Sequence, residues 1–226
     1  MNNSNSNPIL DSEPESGPRP DPGWDSERRM RGIEATSFPI NVTQLVDDRA
    51  RQHPDRPFLN FFDDQDVLTY GDVSHLTCKL AEGLSSKGIG NGMHVAVMVD
   101  TSRTYPLTWL ALARLGAVTV PVNYRYTSRE LDYVLRDSKA THLVICSDFL
   151  SVLEGIPNDT SLSHDNIIVS GNGATEHTHW EDLLDWNGET SRDGSPPELD
   201  SPMNIQYTSG TTGFPKGAVL SHRYWF

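Results

Sequence analysis

Apolar positions between residues 58 and 146 follow two different periods that alternate along the chain. Apolar residues that return every three or four positions are typical of a helix with one buried face, and short apolar runs are typical of strands. The segments predicted as helices are 71–87, 104–115 and one that begins after Thr127; those predicted as strands are 58–62, 67–70, 94–99, 117–122 and 141–146. Strands that alternate with helices of this length indicate a parallel sheet, so the sequence predicts an α/β domain.

The ends of the predicted helices carry their own signals. Gly88 and Gly116 follow the first two helices, at the position where a glycine commonly ends a helix. Thr127 and Glu130 have the Thr-x-x-Glu spacing of a capping box, which predicts the start of the third helix. Beyond residue 148 the pattern weakens, and we predict a strand at 167–169, a short helix at 180–186, a connecting loop at 187–202 and strands at 203–207 and 218–220.

The first part of the chain differs in composition from the rest. Residues 1–25 hold five prolines, and Asn, Ser, Asp and Glu fill most of the positions between them. Such a segment buries too little apolar surface to offset the entropy of ordering it. We therefore expect an acidic, proline-rich disordered tail at 1–37 and a folded domain at 38–226.

Charge and cysteine content narrow the classes of function. The chain has 18 basic and 31 acidic residues, a net charge of −13, which argues against general binding to nucleic acid or to an anionic membrane surface. No apolar stretch approaches the ~18 residues of a membrane span, and Met1 to Pro8 lack the apolar core of a secretory signal. Cys78 and Cys146 are expected to be small buried hydrophobes, not a disulfide, which suits the cytoplasm.

Residues 207–217 form the most informative segment, with the sequence Tyr-Thr-Ser-Gly-Thr-Thr-Gly-Phe-Pro-Lys-Gly. Glycines let backbone N–H groups approach a ligand closely, hydroxyl groups donate to phosphate oxygens, and Lys216 supplies a positive charge. The segment matches neither the common P-loop nor the dinucleotide-binding fingerprint. From residue types alone, a phosphate-binding loop and a flexible surface connection both remain open.

This segment resembles the signature loop of the adenylate-forming (AMP-binding) superfamily, which includes acyl-CoA synthetases, peptide-synthetase adenylation domains and luciferases. The match is uninterrupted over 207–217, and the stretches at 68–70 and 115–123 are similar to two further motifs of the family. The sequence at 121–125 looks more like acyl-CoA ligases than peptide-synthetase domains. The resemblance covers roughly residues 40–222 and implies a doubly wound, mostly parallel sheet with flanking helices.

The resemblance also implies a two-step reaction. A carboxylic acid, fatty or aryl, would attack MgATP to give an acyl-adenylate and pyrophosphate, and the thiol of coenzyme A would then displace AMP. ATP, Mg²⁺ and coenzyme A are thus the implied cofactors. The residues implied to contact the phosphates are Thr208, Ser209, Gly210, Thr211, Thr212, Gly213 and Lys216.

In the family the remaining functional parts lie downstream of the phosphate loop, so no catalytic residue is assigned in this chain. We expect 38–226 to be the N-terminal part of the domain, truncated after the loop, and inactive alone. A non-catalytic nucleotide-binding or interaction protein is the alternative, and amide- or carrier-protein-directed adenylation is a minor one.

Three other groups of residues are candidates for chemistry. His177 and His179 could be read as metal ligands, but a loop before the helix at 180 is the favoured interpretation, and no metal site is expected. Asp63, Asp64 and Asp66 are explained by a tight turn between two strands. His222 follows the loop motif on its outgoing strand, and the sequence alone leaves a direct role for it open.

Overall fold

The computed structural model describes Arg31 and residues 37–62, 66–157, 159–160, 162–173, 175–188, 196–208 and 215–226. The chain divides into two units, 1–37 and 38–226, and the description below concerns the second. Apart from Arg31 and Ser37, the tail expected at 1–37 lies outside the described residues. Its disorder stays a prediction.

Helices and strands alternate along the second unit. The helices are α1 (Val42–Gln52), α2 (Tyr70–Ser86), α3 (Thr104–Leu115), α4 (Ser128–Ser138) and α5 (Trp180–Leu184), with 3₁₀ segments at Ser147–Gly155, His164–Asn166 and His222–Trp225. The strands are β1 (Pro57–Phe61), β2 (Asp66–Thr69), β3 (His94–Met98), β4 (Val118–Pro121), β5 (His142–Cys146), β6 (Ile167–Ser170), β7 (Thr178–His179), β8 (Pro202–Thr208) and β9 (Lys216–Ser221).

Seven of the described strands form one sheet in the order β7–β6–β5–β3–β4–β8–β9. Neighbouring strands are parallel, except that β8 and β9 are antiparallel. The chain passes from β3 to its neighbour β4 through α3, then returns through α4 to β5 on the other side of β3. The winding therefore reverses beside β3, and the predicted α/β fold with a doubly wound, mostly parallel sheet is confirmed.

Buried side chains pack on both faces of this sheet. Along β3, Val95 and Val97 belong to one apolar cluster, and Ala96 and Met98 belong to another. Helices α1, α2, α3 and α5 contribute to the first cluster, whereas α4 contributes to the second. Because successive residues of a strand point to opposite faces, near-continuous apolar runs are what a sheet covered on both sides requires.

The predicted helix ends are largely confirmed. Thr127 caps α4 through a capping box with Glu130, and Gly116 ends α3 in the left-handed conformation with φ of 69°. Helix α1 was not predicted, because only four of its eleven residues are apolar and its second half holds only Ala50 among them. Its local signal is Asn41, whose side chain accepts a hydrogen bond from the backbone N–H of Gln44 at 2.9 Å.

Candidate phosphate-binding site

The two ends of the signature loop lie side by side on paired strands. Strand β8 ends at Thr208, β9 begins at Lys216, and the antiparallel register places these two residues opposite each other. Because β8 runs parallel to β4, Thr208 lies at the edge of the sheet where the parallel strands end. Ligands of open α/β sheets bind outside this carboxyl-terminal edge.

The structure places two of the seven predicted phosphate-contacting residues. Thr208 and Lys216 are both exposed, and strand pairing brings them together. Ser209, Gly210, Thr211, Thr212 and Gly213 lie outside the described residues. The contacts of all seven residues with phosphate stay a prediction.

Lys216 is the positive charge of this site. Its side chain is exposed, and no carboxylate of the described residues forms an ion pair with it. An exposed ammonium group that forms no ion pair within the described residues can bind an anion from solution. The described part of the loop can therefore supply one hydroxyl group and one cation to a phosphate.

Gly217, directly after Lys216, allows a close approach between the two strands. A Cβ atom added to Gly217 would lie 2.8 Å from Cγ2 of Ile205 and 3.1 Å from Cζ of Tyr207. The first distance is shorter than real Cβ contacts and the second is tight, so a larger residue would displace the Ile205 side chain and press on the Tyr207 ring. The glycine that ends the motif therefore has a packing reason that its position in the sequence alone does not reveal.

Helix α4 contacts both ends of the loop. The hydroxyl group of Tyr207 donates to Oδ2 of Asp137 at 2.6 Å, and that of Tyr133 donates to the carbonyl oxygen of Pro215 at 3.1 Å. Burial and the neighbouring Asp137 carboxylate raise the pKa of Tyr207, so its hydroxyl keeps its proton and remains a donor. The sequence analysis missed Tyr133 and Asp137, because nothing local connects α4 with the loop.

His222 lies in the interior, at the end of β9. Its side chain is fully buried, and its Nδ1 accepts a hydrogen bond from the backbone N–H of Val42 at 3.3 Å. Burial lowers the pKa of His222 to about 4, so the ring is neutral near pH 7. The structure gives His222 a role in joining β9 to the start of α1.

A crevice of about 380 Å³ opens at the carboxyl ends of β3 and β5, where the winding of the sheet reverses. Met98 from the end of β3, Tyr124 from the segment after β4 and Phe149 from the segment after β5 line it. The rings of Tyr124 and Phe149 stack with centroids 5.3 Å apart. Such a reversal point is where doubly wound sheets commonly bind ligands.

The other candidate sites have structural explanations. The His177 ring lies against that of His164, with centroids 4.2 Å apart, and His179 belongs to β7. Asp66 faces Arg103 at 3.4 Å, while Asp63 and Asp64 lie outside the described residues. The part of the chain that the structure describes contains no group of three or more His, Cys, Asp or Glu side chains able to hold a metal ion.

Both cysteines are free thiols, as expected from the sequence. Cys146 is buried in β5, and Cys78 is half-buried on α2. No helix among the described residues combines the length and the apolar character needed to cross a membrane.

Comparison with known proteins identifies the family. Residues 46–226 match the family of AMP-binding enzymes, and this match spans most of the chain. The chain belongs to the AMP-binding enzyme family. The resemblance based on the loop at 207–217 is thereby confirmed.

Individual relatives agree with this assignment. The chain is 31% identical over 204 residues to the putative acyl-CoA synthetase YngI of Bacillus subtilis (strain 168), covering 80% of this chain and 37% of that protein. It is 32% identical over 158 residues to 4-coumarate–CoA ligase 5 of Oryza sativa subsp. japonica, covering 70% of this chain and 28% of that protein. The chain therefore spans about a third of the length of these relatives.

A solved structure shows the same fold. The crystal structure of a long-chain-fatty-acid–CoA ligase (FadD1) from Archaeoglobus fulgidus superposes with a TM-score of 0.68 and 29% sequence identity. The matched region covers 83% of this chain and 38% of that chain.

Proposed function

We propose that this chain provides the phosphate-contacting part of an AMP-forming acid–thiol ligase. Its substrates are MgATP, a carboxylic acid and coenzyme A, and its first product is an acyl-adenylate. The observation that carries the proposal is the pairing of Thr208 with an exposed Lys216 at the carboxyl-terminal edge of the sheet. Membership of the AMP-binding family supports the same conclusion.

The reaction balances without a redox partner. A carboxylate oxygen of the acid attacks the α-phosphorus of ATP, and the bond between that phosphorus and the bridging oxygen breaks to release pyrophosphate. The thiol sulfur of coenzyme A then loses its proton to solvent, attacks the acyl carbon to form the thioester and displaces AMP. Both steps depend mainly on stabilising negative charge on phosphate oxygens and on positioning the reactants.

Lys216 and Thr208 are suited to the first step. The ammonium group offsets the charge of the polyphosphate, and the Thr208 hydroxyl is able to donate a hydrogen bond beside it. Mg²⁺ would enter as the ATP complex and neutralise phosphate charge there. In the proposed site, Ser209, Gly210, Thr211, Thr212 and Gly213 complete the contacts through hydroxyl and backbone N–H groups.

The acid substrate belongs to the fatty or aryl class. Relatives named for long-chain fatty acids and for 4-coumarate support this range. The crevice beside Tyr124 and Phe149 lies at the same carboxyl-terminal edge of the sheet as Thr208 and Lys216. It therefore supports the binding of a ligand along this edge.

Replacing Lys216 tests this proposal. We expect Lys216→Ala to raise the dissociation constant for MgATP roughly tenfold, because a charge-assisted contact is lost. Titration calorimetry of the wild-type and variant chains with MgATP measures the effect. Lys87→Ala is the matched control, because Lys87 is an exposed lysine just beyond the end of α2.

An unchanged affinity in Lys216→Ala would contradict the proposed role of this residue, and absence of MgATP binding by the wild-type chain would contradict the proposal as a whole. Equal losses in both lysine variants would assign the effect to net charge alone.

A further inference from the structure

Lys216 is held through the residues on both sides of it. The carbonyl oxygen of Pro215, just before it, accepts the hydrogen bond from the Tyr133 hydroxyl at 3.1 Å. Gly217, just after it, lies close to the Tyr207 ring, since a Cβ atom added to it would be 3.1 Å from Cζ of that ring. The backbone of Lys216 is thus restrained from two directions, while its side chain stays exposed.

Both restraints lead to the same helix. Tyr133 is part of α4, and the Tyr207 hydroxyl is anchored 2.6 Å from Asp137, one turn further along α4. The opposite side of α4 is secured in the core, since Leu131, Val134 and Leu135 are fully buried. We call Tyr133, Asp137 and Tyr207 together the tyrosine clamp.

We propose that the tyrosine clamp positions Lys216 for phosphate binding. This inference rests on the function proposed above for Lys216. A lysine on a restrained backbone has only its side-chain rotamers left to order when an anion binds, so less entropy is lost on binding. The clamp residues act through Lys216 and are positioning residues.

The clamp acts only at the loop end of the two strands. Further from the loop, the register of β8 and β9 is held by backbone pairs such as Ile205 with Val219 and Asn204 with Leu220. Loss of one hydroxyl group should therefore loosen the residues around Lys216 and leave the rest of β9 paired. A change confined to the residues around Lys216 would therefore indicate that the clamp positions Lys216, whereas a change along all of β9 would indicate a loss of overall stability.

Variants that remove single atoms test the clamp. Tyr133→Phe and Tyr207→Phe each remove one hydroxyl group and keep the ring. Asp137→Ala removes the acceptor, whereas Asp137→Asn keeps an oxygen that can accept from the tyrosine. Tyr70→Phe is the control, because it removes a tyrosine hydroxyl group in another part of the domain. The Tyr70 ring stacks on that of Phe58 with centroids 4.4 Å apart, and phenylalanine keeps this contact.

Two measurements on the whole chain are needed for each variant. Hydrogen–deuterium exchange of peptides covering 215–220, without nucleotide, reports the backbone restraint. Calorimetric titration with MgATP reports the consequence for binding. We expect both tyrosine variants and Asp137→Ala to speed exchange at 216–217 about three- to tenfold and to weaken MgATP binding by a similar factor.

Asp137→Asn should keep an exchange rate and an MgATP affinity close to those of the wild type, because its amide oxygen can still accept the hydrogen bond. Tyr70→Phe should match the wild type in both measurements. Unchanged exchange in the tyrosine variants would overturn the inference, as would faster exchange with unchanged MgATP affinity. If the wild-type chain fails to bind MgATP, the proposed function fails and the binding part of the inference fails with it. The exchange rates would still decide whether the clamp restrains Lys216. A thermal melt of each variant identifies any that does not fold, and the inference is then decided by those single-hydroxyl variants, Tyr133→Phe or Tyr207→Phe, that do fold.

Discussion

At the scale of single residues, burial decides the protonation state of His222. The ring lies in the interior, accepts a hydrogen bond from Val42, and its Nε2 has no partner among the described residues. A charged ring would lose both water and this hydrogen bond, which is why burial lowers its pKa from 6.5 to about 4. In the folded protein the His222 ring is therefore neutral near pH 7.

This shift predicts a pH dependence of stability. Between pH 6.5 and about 4 the unfolded chain binds a proton at His222 that the folded chain does not, so the free energy of unfolding falls as the pH falls. We expect the His222 contribution to approach about 1.4 kcal/mol per pH unit inside this window and to level off below it. Above pH 6.5 it is constant.

His222→Asn isolates the contribution of this ring. Asparagine offers an oxygen near the position of Nδ1 and does not titrate, so the variant should lose less stability than the wild type as the pH is lowered from 6.5 to 4. Urea unfolding across this range measures the two slopes. Parallel curves for wild type and His222→Asn would refute the shift.

At the scale of elements, one ion pair joins three helices. Arg114 on α3 binds both carboxylate oxygens of Asp47 on α1, at 2.5 and 2.8 Å, and donates to Thr77 on α2 at 2.9 Å. Burial acts to raise the pKa of Asp47, but hydrogen bonds from Arg114 and Ser74 outweigh it and the pKa is lowered. The carboxylate is therefore charged at neutral pH.

Breaking this pair should destabilise the domain. The Arg114 side chain is 7% exposed and that of Asp47 is 34% exposed, so Arg114→Ala leaves a partly buried charge without its partner. We expect the free energy of unfolding to fall by about 2–3 kcal/mol, below the full value for a deeply buried pair. Chemical denaturation measures the change. Arg136→Ala should have a smaller effect, because the Arg136 side chain is 39% exposed and its pair with Asp159 faces solvent, although its other partner Asp132 is 18% exposed. Similar losses in both variants would contradict the role of burial.

The same helices show how far local patterns predict elements. The capping box at Thr127 was predictable, because every group that forms it lies within four residues. Helix α1 was not, because much of what secures it, such as Arg114 at 67 positions from Asp47, is remote in sequence. The 3₁₀ segment Ser147–Gly155 was also missed, and its apolar residues are only partly buried against the core.

At the scale of the whole molecule, helix α2 approaches α5 closely at Gly83. A Cβ atom added to Gly83 would lie 2.3 Å from the carbonyl oxygen of Leu183, which is backbone and has little freedom to move. Inside an isolated helix, replacing glycine with alanine stabilises by roughly 0.5–1 kcal/mol. Here the packing of two helices outweighs that preference.

We expect Gly83→Ala to destabilise the domain by about 1–3 kcal/mol, because the two helices must separate to admit the methyl group. Thermal and urea unfolding measure the change. Gly90→Ala is the control, since a Cβ atom there meets no described atom within 4 Å and its φ lies outside the left-handed region. A stabilised Gly83→Ala variant would show that the helices have room to adjust.

The candidate site was partly predictable in the same way. Thr208 and Lys216 were identified from the loop motif, which is contiguous in sequence. The residues that hold the loop ends were not, because Tyr133 and Pro215 are 82 positions apart and Tyr207 and Asp137 are 70 apart. No local pattern marks a tyrosine whose partner lies on another element.

The sequence by itself determined the alternation of strands and helices, most of their ends, the acidic character of the chain and the phosphate-loop motif. These depend on backbone preferences and side-chain periods that act over a few residues. Only the tertiary structure decided that β5 lies beside β3, which face each helix covers, which tyrosines contact the ends of the loop and that His222 is buried. All of these features depend on contacts between segments that are distant in sequence and on the exclusion of water from those contacts. Such contacts form only when the chain folds.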